Sequence, residues 1–264
     1  MRLEPGLFLL RDRMTVGLPQ GRLLIMAPHL DDAALSCAAL IARSEPVDVL
    51  TVFAGEPDPP QRGDWDRITG FASSAESIPA RLAEEQEAFA GTHHRLSTLR
   101  LLELQYVDEP RPRVEARVVA EAIRAWVAEG DGTVAIPVGA GWRPGRLRSR
   151  LERYWPPRLP AFHPDHVFVR DAALAGLRDQ PRAPVLLYEE LPYRFGGRAE
   201  REAARVSTAA GREAELIVAT VDRTAKAKRI ANYASQVPHL TVDGARLDDA
   251  GALPRDERYW LLRP

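Results

Sequence analysis

MAPHLDDAALS, residues 26–36, joins a short apolar run to a histidine and two adjacent aspartates. The run before the histidine, residues 22–27, is continuous and apolar after its first residue, which is typical of a parallel strand covered by helices on both faces. Residues 33–43 follow with helix-forming, almost entirely apolar side chains and end on a cation, which predicts a buried helix. The stretch is therefore predicted to be the first strand-to-helix turn of a parallel sheet.

The polar residues of this turn are His29, Asp31 and Asp32. They fall between the carboxyl end of a strand and the amino end of a helix, which is where open parallel sheets bind their ligands. The position alone favours a functional site. A structural role stays open, because an aspartate at such a turn often only caps the helix that follows.

Strands and helices are predicted to alternate along the rest of the chain. Further strands are indicated at residues 47–55, 98–103 and 133–138, and residues 184–193 indicate a strand that runs into a turn. Helices are indicated at residues 78–90, 112–129, 162–174 and 223–236. The stretch between the second strand and its helix, residues 56–77, is rich in Pro, Ser, Asp and Gly and is predicted to be a long loop. The next helix carries a proline near its predicted start.

This alternation predicts an α/β fold that is Rossmann-like and doubly wound, with a mostly parallel sheet flanked by helices. We expect a single domain over residues 1–264, with its core at about 22–193 and a C-terminal extension of helix and strand at 194–264.

Composition narrows the class of protein. The 264-residue chain is 45% hydrophobic and 28% charged, enough for one substantial core, and its net charge of −1 gives the whole chain no attraction for nucleic acid or anionic membrane. The single cysteine, Cys37, cannot form an internal disulfide, which agrees with a reducing compartment. The sequence begins with no signal-peptide pattern and has no membrane-length apolar run. These features predict a cytoplasmic protein without a membrane span.

A second polar motif, HPDH, occupies residues 163–166 at the start of a predicted helix. Residues three apart lie on the same face of a helix, so His163 and His166 are expected to face one site. A solvated turn with an acid near the helix start would leave the same pattern. Because both motifs lie at the predicted carboxyl edge of one sheet, we expect them to converge.

Histidine and aspartate are a common ligand mixture for catalytic zinc, which takes about three protein ligands and keeps one position open for water. His29, Asp32 and His166 are able to supply three ligands. Asp31 then remains as an unligated carboxylate suited to take a proton from water. The other histidine of HPDH is free to donate to developing negative charge. Ligand type alone leaves another divalent metal, such as Fe²⁺, open.

The two motifs resemble those of the PIG-L/LmbE-like family of zinc-dependent N-deacetylases. The family includes enzymes that deacetylate N-acetylglucosaminyl-phosphatidylinositol and the N-acetylglucosamine conjugates of mycothiol and bacillithiol synthesis. APHLDDA, residues 27–33, resembles the family's PHPDDE, and HPDH matches its AHPDH. Weaker agreement comes from an RxxEE helix, a Tyr-Glu strand end and a K…Y-x-SQ segment, made by Arg81, Glu84, Glu85, Tyr188, Glu189, Lys228, Tyr233, Ser235 and Gln236.

The resemblance assigns zinc binding to His29, Asp32 and His166. It implies that Asp31 is the general base and that His163 stabilises the oxyanion or protonates the departing amine. The residue chemistry suggests the same division of roles.

The sequence departs from the family pattern at three positions. Leu30 replaces the usual Pro and Ala33 the usual acid, and neither is a ligand or base in this interpretation. Ala161 stands where some members carry a tyrosine, whose contribution is then absent or supplied by another residue such as Tyr193 or Tyr154.

Three residues are candidates for contacts with substrate: Arg81, Tyr193 and Arg143. Arg81 is suited to bind a hydroxyl or phosphate, and a salt bridge with a glutamate of its own helix explains it equally well. Arg143 belongs to an arginine-rich stretch with aromatic residues, 141–160, that is suited to clamp an anion. Two alternatives remain for that stretch: a solvated loop, or a contact between subunits of a homo-oligomer.

The predicted function is metal-dependent hydrolysis of an N-acyl group on an amino sugar or glycosylated natural product. Acetyl is the acyl group we expect. The expected partner is a small N-acetylated molecule, with zinc as cofactor. The alternative is a non-catalytic protein that uses the same fold and metal site to bind a glycan or a partner. A nucleotide-binding Rossmann protein is disfavoured, because the first turn lacks GxGxxG and places acids where pyrophosphate needs backbone amides.

Overall fold

The computed structural model describes residues 17–107, 111–139, 163–180, 182–193, 199–242 and 244–263. The strands are β1 Leu23–Ala27, β2 Val47–Phe53, β3 Arg95–Leu101, β4 Thr133–Pro137, β5 Val185–Tyr188, β6 Ala214–Thr220, β7 Thr241–Val242, β8 Ala245–Arg246 and β9 Asp256–Leu262. The helices are α1 Asp32–Ser36, α2 Ala38–Ile41, α3 Asp64–Thr69, α4 Ser74–Ala88, α5 Arg113–Ala128, α6 Pro164–Gly176, α7 Ala199–Ala210 and α8 Arg223–Ile230. Short 3-10 turns cover Leu104–Tyr106 and Val237–His239.

Seven strands form one sheet in the order β3-β2-β1-β4-β5-β9-β6. The strands from β3 to β5 are parallel to their neighbours, whereas β9 runs antiparallel to both β5 and β6. β7 and β8 pair in a separate antiparallel ladder. The predicted α/β fold with a mostly parallel sheet and flanking helices is confirmed.

β1 holds the first polar motif at the centre of this sheet. All five residues of β1 are buried. Leu23 and Ile25 belong to one apolar cluster of the core and Leu24 and Met26 to another, as the two-residue period of a strand requires. β1 lies between β2 and β4, where the strand order changes direction. Parallel sheets leave a crevice at the carboxyl ends of such strands, so the turn after β1 is fixed at a ligand-binding position.

The single helix expected over residues 33–43 is wrong. Two short helices, α1 and α2, are interrupted at Cys37, which has φ −128° and ψ 29°. The backbone N–H groups of Ala38 and Ala39, at the start of α2, donate to the Glu257 carboxylate at 2.9 and 2.8 Å. A carboxylate at a helix amino end satisfies donors that the helix itself leaves unpaired. Glu257 lies on β9, so no local pattern predicts the interruption.

The long loop expected over residues 56–77 is also wrong in part, because it contains α3 and the first turn of α4. The backbone N–H of Gly63 donates to Asp66 Oδ2 at 2.8 Å where α3 begins. Asp66 is fully buried and accepts from Tyr106 Oη at 2.8 Å. Pro79, expected near a helix start, lies inside α4. The polar residues of this stretch therefore cap helices as well as form turns.

The C-terminal part departs furthest from expectation. α8 ends at Ile230 rather than at Gln236, and turns occupy the residues between them. α7, β6 and β9 supply the helix and strand that the sequence predicts for residues 194–264 without giving them bounds. β9 nevertheless pairs with β5 and β6 inside the main sheet, which ties the C-terminal extension to the core. A single domain over residues 1–264 stays a prediction.

Smaller differences concern the ends of two strands. β3 begins at Arg95 and ends at Leu101, earlier than the predicted 98–103, and β2 ends at Phe53 rather than at 55. β5 ends at Tyr188 and is followed by a turn, as predicted for residues 184–193. Within the described residues, no helix is both long and apolar enough to cross a membrane.

Candidate active site

A cleft of about 460 Å³ opens at the carboxyl ends of β1, β3 and β5. The structure brings most of the sequence-predicted site residues to its wall, namely His29, Asp31, Asp32, Arg81, His163, His166 and Tyr193. Arg143, Tyr154, Ala161 and the rest of the arginine-rich stretch lie outside the described residues. The expected convergence of the two motifs is therefore present.

Asp32 lies at the centre of this group. It is the first residue of α1, is buried, and accepts a hydrogen bond from the backbone N–H of His29 at 2.8 Å. Its Oδ2 is also 3.3 Å from His29 Nδ1 and 3.5 Å from His166 Nε2. Burial raises the pKa of this carboxyl, but the charges of His166 and His29 and the hydrogen bonds from His29 outweigh it and lower the pKa to about 2. Asp32 is therefore a carboxylate with two imidazole neighbours.

His29 and His166 share one orientation. Each turns one ring nitrogen toward Asp32 and the other toward a buried carboxylate. His29 Nε2 lies 3.0 Å from Asp165 Oδ2, and His166 Nδ1 lies 3.3 Å from Glu190 Oε1. Burial lowers the pKa of His29, but hydrogen bonds to Asp165 and Asp32 and their charges raise it overall, well above its ordinary value. Ligating histidines commonly hold a carboxylate on their outer nitrogen, so this geometry suits a metal.

His163 lies beside these two histidines and has no such outer partner. It is the N-cap residue of α6, and its ring centroid is 4.7 Å from that of His29 and 5.1 Å from that of His166. Its Nδ1 is buried without a hydrogen-bond partner and lies 4.0 Å from Asp165 Oδ2. Burial and the charges of the two neighbouring histidines lower its pKa to about 3. His163 is therefore neutral and has unused hydrogen-bonding capacity.

The donor set fits a divalent metal. Ring nitrogens of the three histidines all lie within 4.8 Å of one another, and Asp32 adds a carboxylate oxygen between two of them. Imidazole and carboxylate are ligands that zinc and iron both accept. Two sets are geometrically open: the three histidines, or His29 and His166 with Asp32.

Asp31 precedes Asp32 and lines the same cleft. It occupies the N-cap position of α1, but its side chain makes no hydrogen bond to the helix. Helix capping therefore does not explain this aspartate. Its φ of 147° is unusual for a residue other than glycine, and such backbone conformations occur mostly at functional sites. Burial and the charge of Asp32 raise its pKa well above the ordinary value, although Arg81 and His29 oppose the shift. A raised pKa makes the ionised carboxylate a stronger base.

Arg81 lies on α4, is buried, and forms an ion pair with Glu103, from the segment after β3. It does not pair with the glutamates of its own helix. Glu84 instead accepts from the backbone N–H and the Oγ of Ser235 at 2.7 and 2.8 Å, and Glu85 accepts from Tyr233 Oη. The RxxEE helix and the Y-x-SQ segment are therefore joined to each other by these hydrogen bonds.

Gln236 extends this contact to the cleft. Its Oε1 accepts from the indole Nε1 of Trp65 at 2.5 Å, and its Nε2 donates to Ser235 Oγ at 2.7 Å. Through Ser235 and Tyr233 the segment contacts α4 behind the site, and Gln236 itself lines the cleft wall. Tyr193 also lines the cleft, with its ring centroid 5.3 Å from that of His166.

Sequence reasoning missed several residues of the site. Asp165 stands inside HPDH, yet only its flanking histidines were predicted to act, and Glu190 directly follows the Tyr188-Glu189 strand end. Both carboxylates are buried, and a buried acid beside a ligand motif is a usable signal. Glu103 and Arg111 carry no such signal, because they lie between elements with no motif nearby.

Comparisons with known proteins agree with this site. No protein-family model matches the chain. A curated protein of Streptomyces fradiae, 2'-N-acetylparomamine deacetylase, is 26% identical over 200 residues, which are 70% of this chain and 60% of that protein. The chain thus spans less than two thirds of that relative's length.

Two solved structures share the fold over most of the chain. The zinc-inhibited form of teicoplanin deacetylase Orf2 matches with a TM-score of 0.64 at 25% identity, covering 91% of this chain and 97% of that one. The A40926 pseudoaglycone deacetylase Dbv21 matches with a TM-score of 0.65 at 24% identity, covering 92% and 97%.

All three of these relatives are deacetylases by name. The resemblance drawn from the motifs is therefore supported for the fold and for the activity of the similar proteins. Their names give no support to the branches of the family that act on phosphatidylinositol or on mycothiol precursors.

Proposed function

We propose that the protein is a metal-dependent N-deacetylase that removes an acetyl group from an amino sugar within a glycosylated small molecule. One observation carries the proposal: His29 and His166 each turn one ring nitrogen to Asp32 and the other to a buried carboxylate. The similarity to an aminoglycoside-related deacetylase and to a teicoplanin deacetylase supports the reaction type and the substrate class.

His29, Asp32 and His166 are the residues that would hold the metal. We prefer this set to the three histidines because Asp32 Oδ2 lies 3.3 and 3.5 Å from the inner nitrogens of the other two. His163 lacks the outer carboxylate that both of them have, since its Nδ1 is 4.0 Å from Asp165. When bound, zinc or another divalent metal such as Fe²⁺ supplies Lewis acidity toward the amide and lowers the pKa of water.

Asp31 is the proposed general base. Its carboxylate lies beside the ligand set without belonging to it, and burial strengthens it as a proton acceptor. His163 is the proposed electrophile. As a neutral imidazole it carries one N–H, which can donate to the oxyanion that develops on the amide oxygen.

Three further residues are proposed to orient the substrate. Arg81 and its partner Glu103 both line the cleft and together present donors and an acceptor, which suits hydroxyl groups of a sugar. Tyr193 stands next to His166 on the other wall. Arg143 is proposed from the sequence pattern alone.

The test is a deacetylation screen with protein stripped of metal and then reloaded with zinc or with Fe²⁺. The panel contains N-acetylglucosamine, an N-acetylated aminoglycoside and an N-acetylated glycopeptide pseudoaglycone, and both acetate and free amine are measured. We expect release of both products in equal amounts, lost on chelation and restored by metal. A protein that binds metal and these glycans but releases no acetate from any of them contradicts the proposal and favours a non-catalytic binding protein.

A further inference from the structure

We propose that Arg111 is a positioning residue that acts through Asp165 to hold the His29 ring in its metal-binding orientation. This inference rests on the proposed metal site. It concerns three segments that are far apart in the chain: the turn after β1, the segment before α5 and the first turn of α6.

The guanidinium of Arg111 is fully engaged. Its Nε and Nη2 donate to Asp165 Oδ1 at 3.1 and 2.5 Å, and its Nη1 donates to the Leu102 carbonyl at 2.8 Å and to Glu115 at 3.0 Å. The group lies 4.1 Å from the centre of the Phe53 ring, and its side chain is only 6% exposed. A planar fork held on several sides and stacked on a ring has one available orientation.

Asp165 divides its two oxygens between different partners. Oδ1 accepts both donors of the Arg111 fork, whereas Oδ2 accepts from the backbone N–H of Leu104 at 3.1 Å and faces His29 Nε2 at 3.0 Å. The side chain is fully buried. Because the fork fixes Oδ1, the carboxylate cannot rotate, and Oδ2 stays directed at His29.

The direction of Oδ2 decides which nitrogen of His29 faces the metal site. With Nε2 donating to Asp165, Nδ1 is the nitrogen directed at Asp32, 3.3 Å away, and its lone pair becomes available when a metal displaces the proton there. A metal ligand needs that lone pair. Arg111 touches neither a ligand nor the cleft, and its effect on the metal passes through one carboxylate.

Metal affinity measures this effect directly. Zinc affinity is determined by competition with a chromophoric chelator for wild type, Arg111→Met, Arg111→Lys, Asp165→Asn and the double variant. Loss of an outer-shell partner typically weakens metal binding about 10- to 100-fold, and we expect Asp165→Asn to fall in that range and Arg111→Met near its lower end. Arg111→Lys restores the charge but not the fork, so it should not recover the affinity.

The double variant tests the route. If Arg111 acts through Asp165, Arg111→Met adds no further loss once Asp165 is Asn. The double variant leaves no charge on either member of the Arg111–Asp165 pair, so it guards against misfolding of Arg111→Met alone. A second readout follows the ring itself: ¹⁵N imidazole spectra of the zinc-loaded protein should report a His29 protonated on Nε2 and ligated through Nδ1 in wild type, and a mixture of ring orientations in Arg111→Met.

Arg22 offers a matched control at the other end of the sheet. It lies 4.3 Å from the centre of the Trp126 ring and donates to the Trp126 and Gly130 carbonyls and to Glu129. Arg22→Met should leave zinc affinity and the His29 spectrum unchanged.

The outcomes separate this inference from the proposed function. Wild-type protein that binds neither zinc nor Fe²⁺ overturns both. Wild-type affinity in Arg111→Met, or losses that multiply in the double variant, overturns the inference alone and leaves the deacetylase proposal standing.

Discussion

Two cavities of similar volume lie at opposite ends of the sheet, and only one has the features of a functional site. The carboxyl-end cleft measures about 460 Å³ and contains the histidine cluster. The amino-end cavity measures about 390 Å³ and is lined by Gly21, Arg22, Leu23, Glu45, Pro46, Asp48, His93 and Arg95. Each contains imidazole, guanidinium and carboxylate groups, so neither volume nor composition tells them apart.

The difference lies in how the charges are arranged. At the amino end, Arg95 donates to both oxygens of Asp48 at 2.5 and 2.8 Å while its side chain stays 69% exposed. In such a pair each charged group already has its partner or water, so no charge is left to attract a ligand. At the carboxyl end, Asp32 and Asp165 are buried and face histidines, and His163 keeps a buried nitrogen without a partner. Convergence and unused bonding capacity under burial mark the functional cleft.

The largest expected difference between the two ends is catalytic. Asp31→Asn keeps the size of the side chain and tolerates the positive φ, but it removes the base. We expect turnover to fall by about 10²- to 10⁴-fold with zinc content unchanged. Asp48→Asn at the amino end should keep wild-type turnover. Equal activity of wild type and Asp31→Asn would refute the role given to Asp31.

Glu85 behind the cleft and Asp48 at the amino end should change the stability of the protein in opposite directions with pH. Burial, chiefly, raises the pKa of Glu85 behind the cleft from 4.5 to about 7, so the fold favours its protonated form. Its stabilising contribution is complete below pH 4.5 and is lost as the pH rises through about 7. Relative to Glu85→Gln, metal-free wild type should lose roughly 3 kcal/mol of unfolding free energy across that window.

Asp48 supplies the opposite case. Its partial burial raises the pKa, but hydrogen bonds from Arg95 and Trp126 outweigh this and lower it below the ordinary 3.8. Its contribution to stability is therefore present above pH 3.8 and lost as the pH falls. Denaturant titrations of both variants from pH 3 to 8 check the two signs. Parallel pH profiles would remove this distinction between the ends.

A smaller effect is expected for the outer partner of His166. Glu190 Oε1 accepts from the Gly139 backbone N–H at 2.8 Å and faces His166 Nδ1 at 3.3 Å. Glu190→Gln should weaken zinc binding about 10-fold or more, since the amide is a poorer acceptor. Glu45→Gln at the amino end is the control and should bind zinc as wild type does. Chelator competition measures both, and equal affinities would show that Glu190 has only a structural role.

The smallest effect belongs to the exposed pair. Arg95→Met removes the ion pair with Asp48 and should change the unfolding free energy by less than about 1 kcal/mol. The change should shrink further in high salt, and turnover and zinc affinity should be untouched. A loss of several kcal/mol would mean that the amino-end charges are more strongly coupled than their exposure indicates.

Local sequence predicts the features that local chemistry determines. The apolar run before His29 predicts β1. The i, i+3 spacing of HPDH predicts that His163 and His166 face one site, and their ring centroids are indeed 5.1 Å apart. Long-range partners escape prediction. Glu257 caps α2 from 219 residues away, and Asp165 meets Arg111 across 54 residues, so neither pairing leaves a periodic trace. The helix is interrupted at Cys37, where Glu257 caps α2, and the sequence does not predict this interruption because Glu257 is so distant in the chain.

The position of β9 has a consequence for the order in which the protein is made. The ligand motif at residues 29–32 leaves the ribosome early, but the carboxylate that holds the start of α2, and the strand between β5 and β6, come from residues 256–262. A nascent chain that stops at residue 255 carries both polar motifs without the strand that completes the sheet beside them. The first part of the candidate site to be synthesised is therefore among the last to be fixed in place.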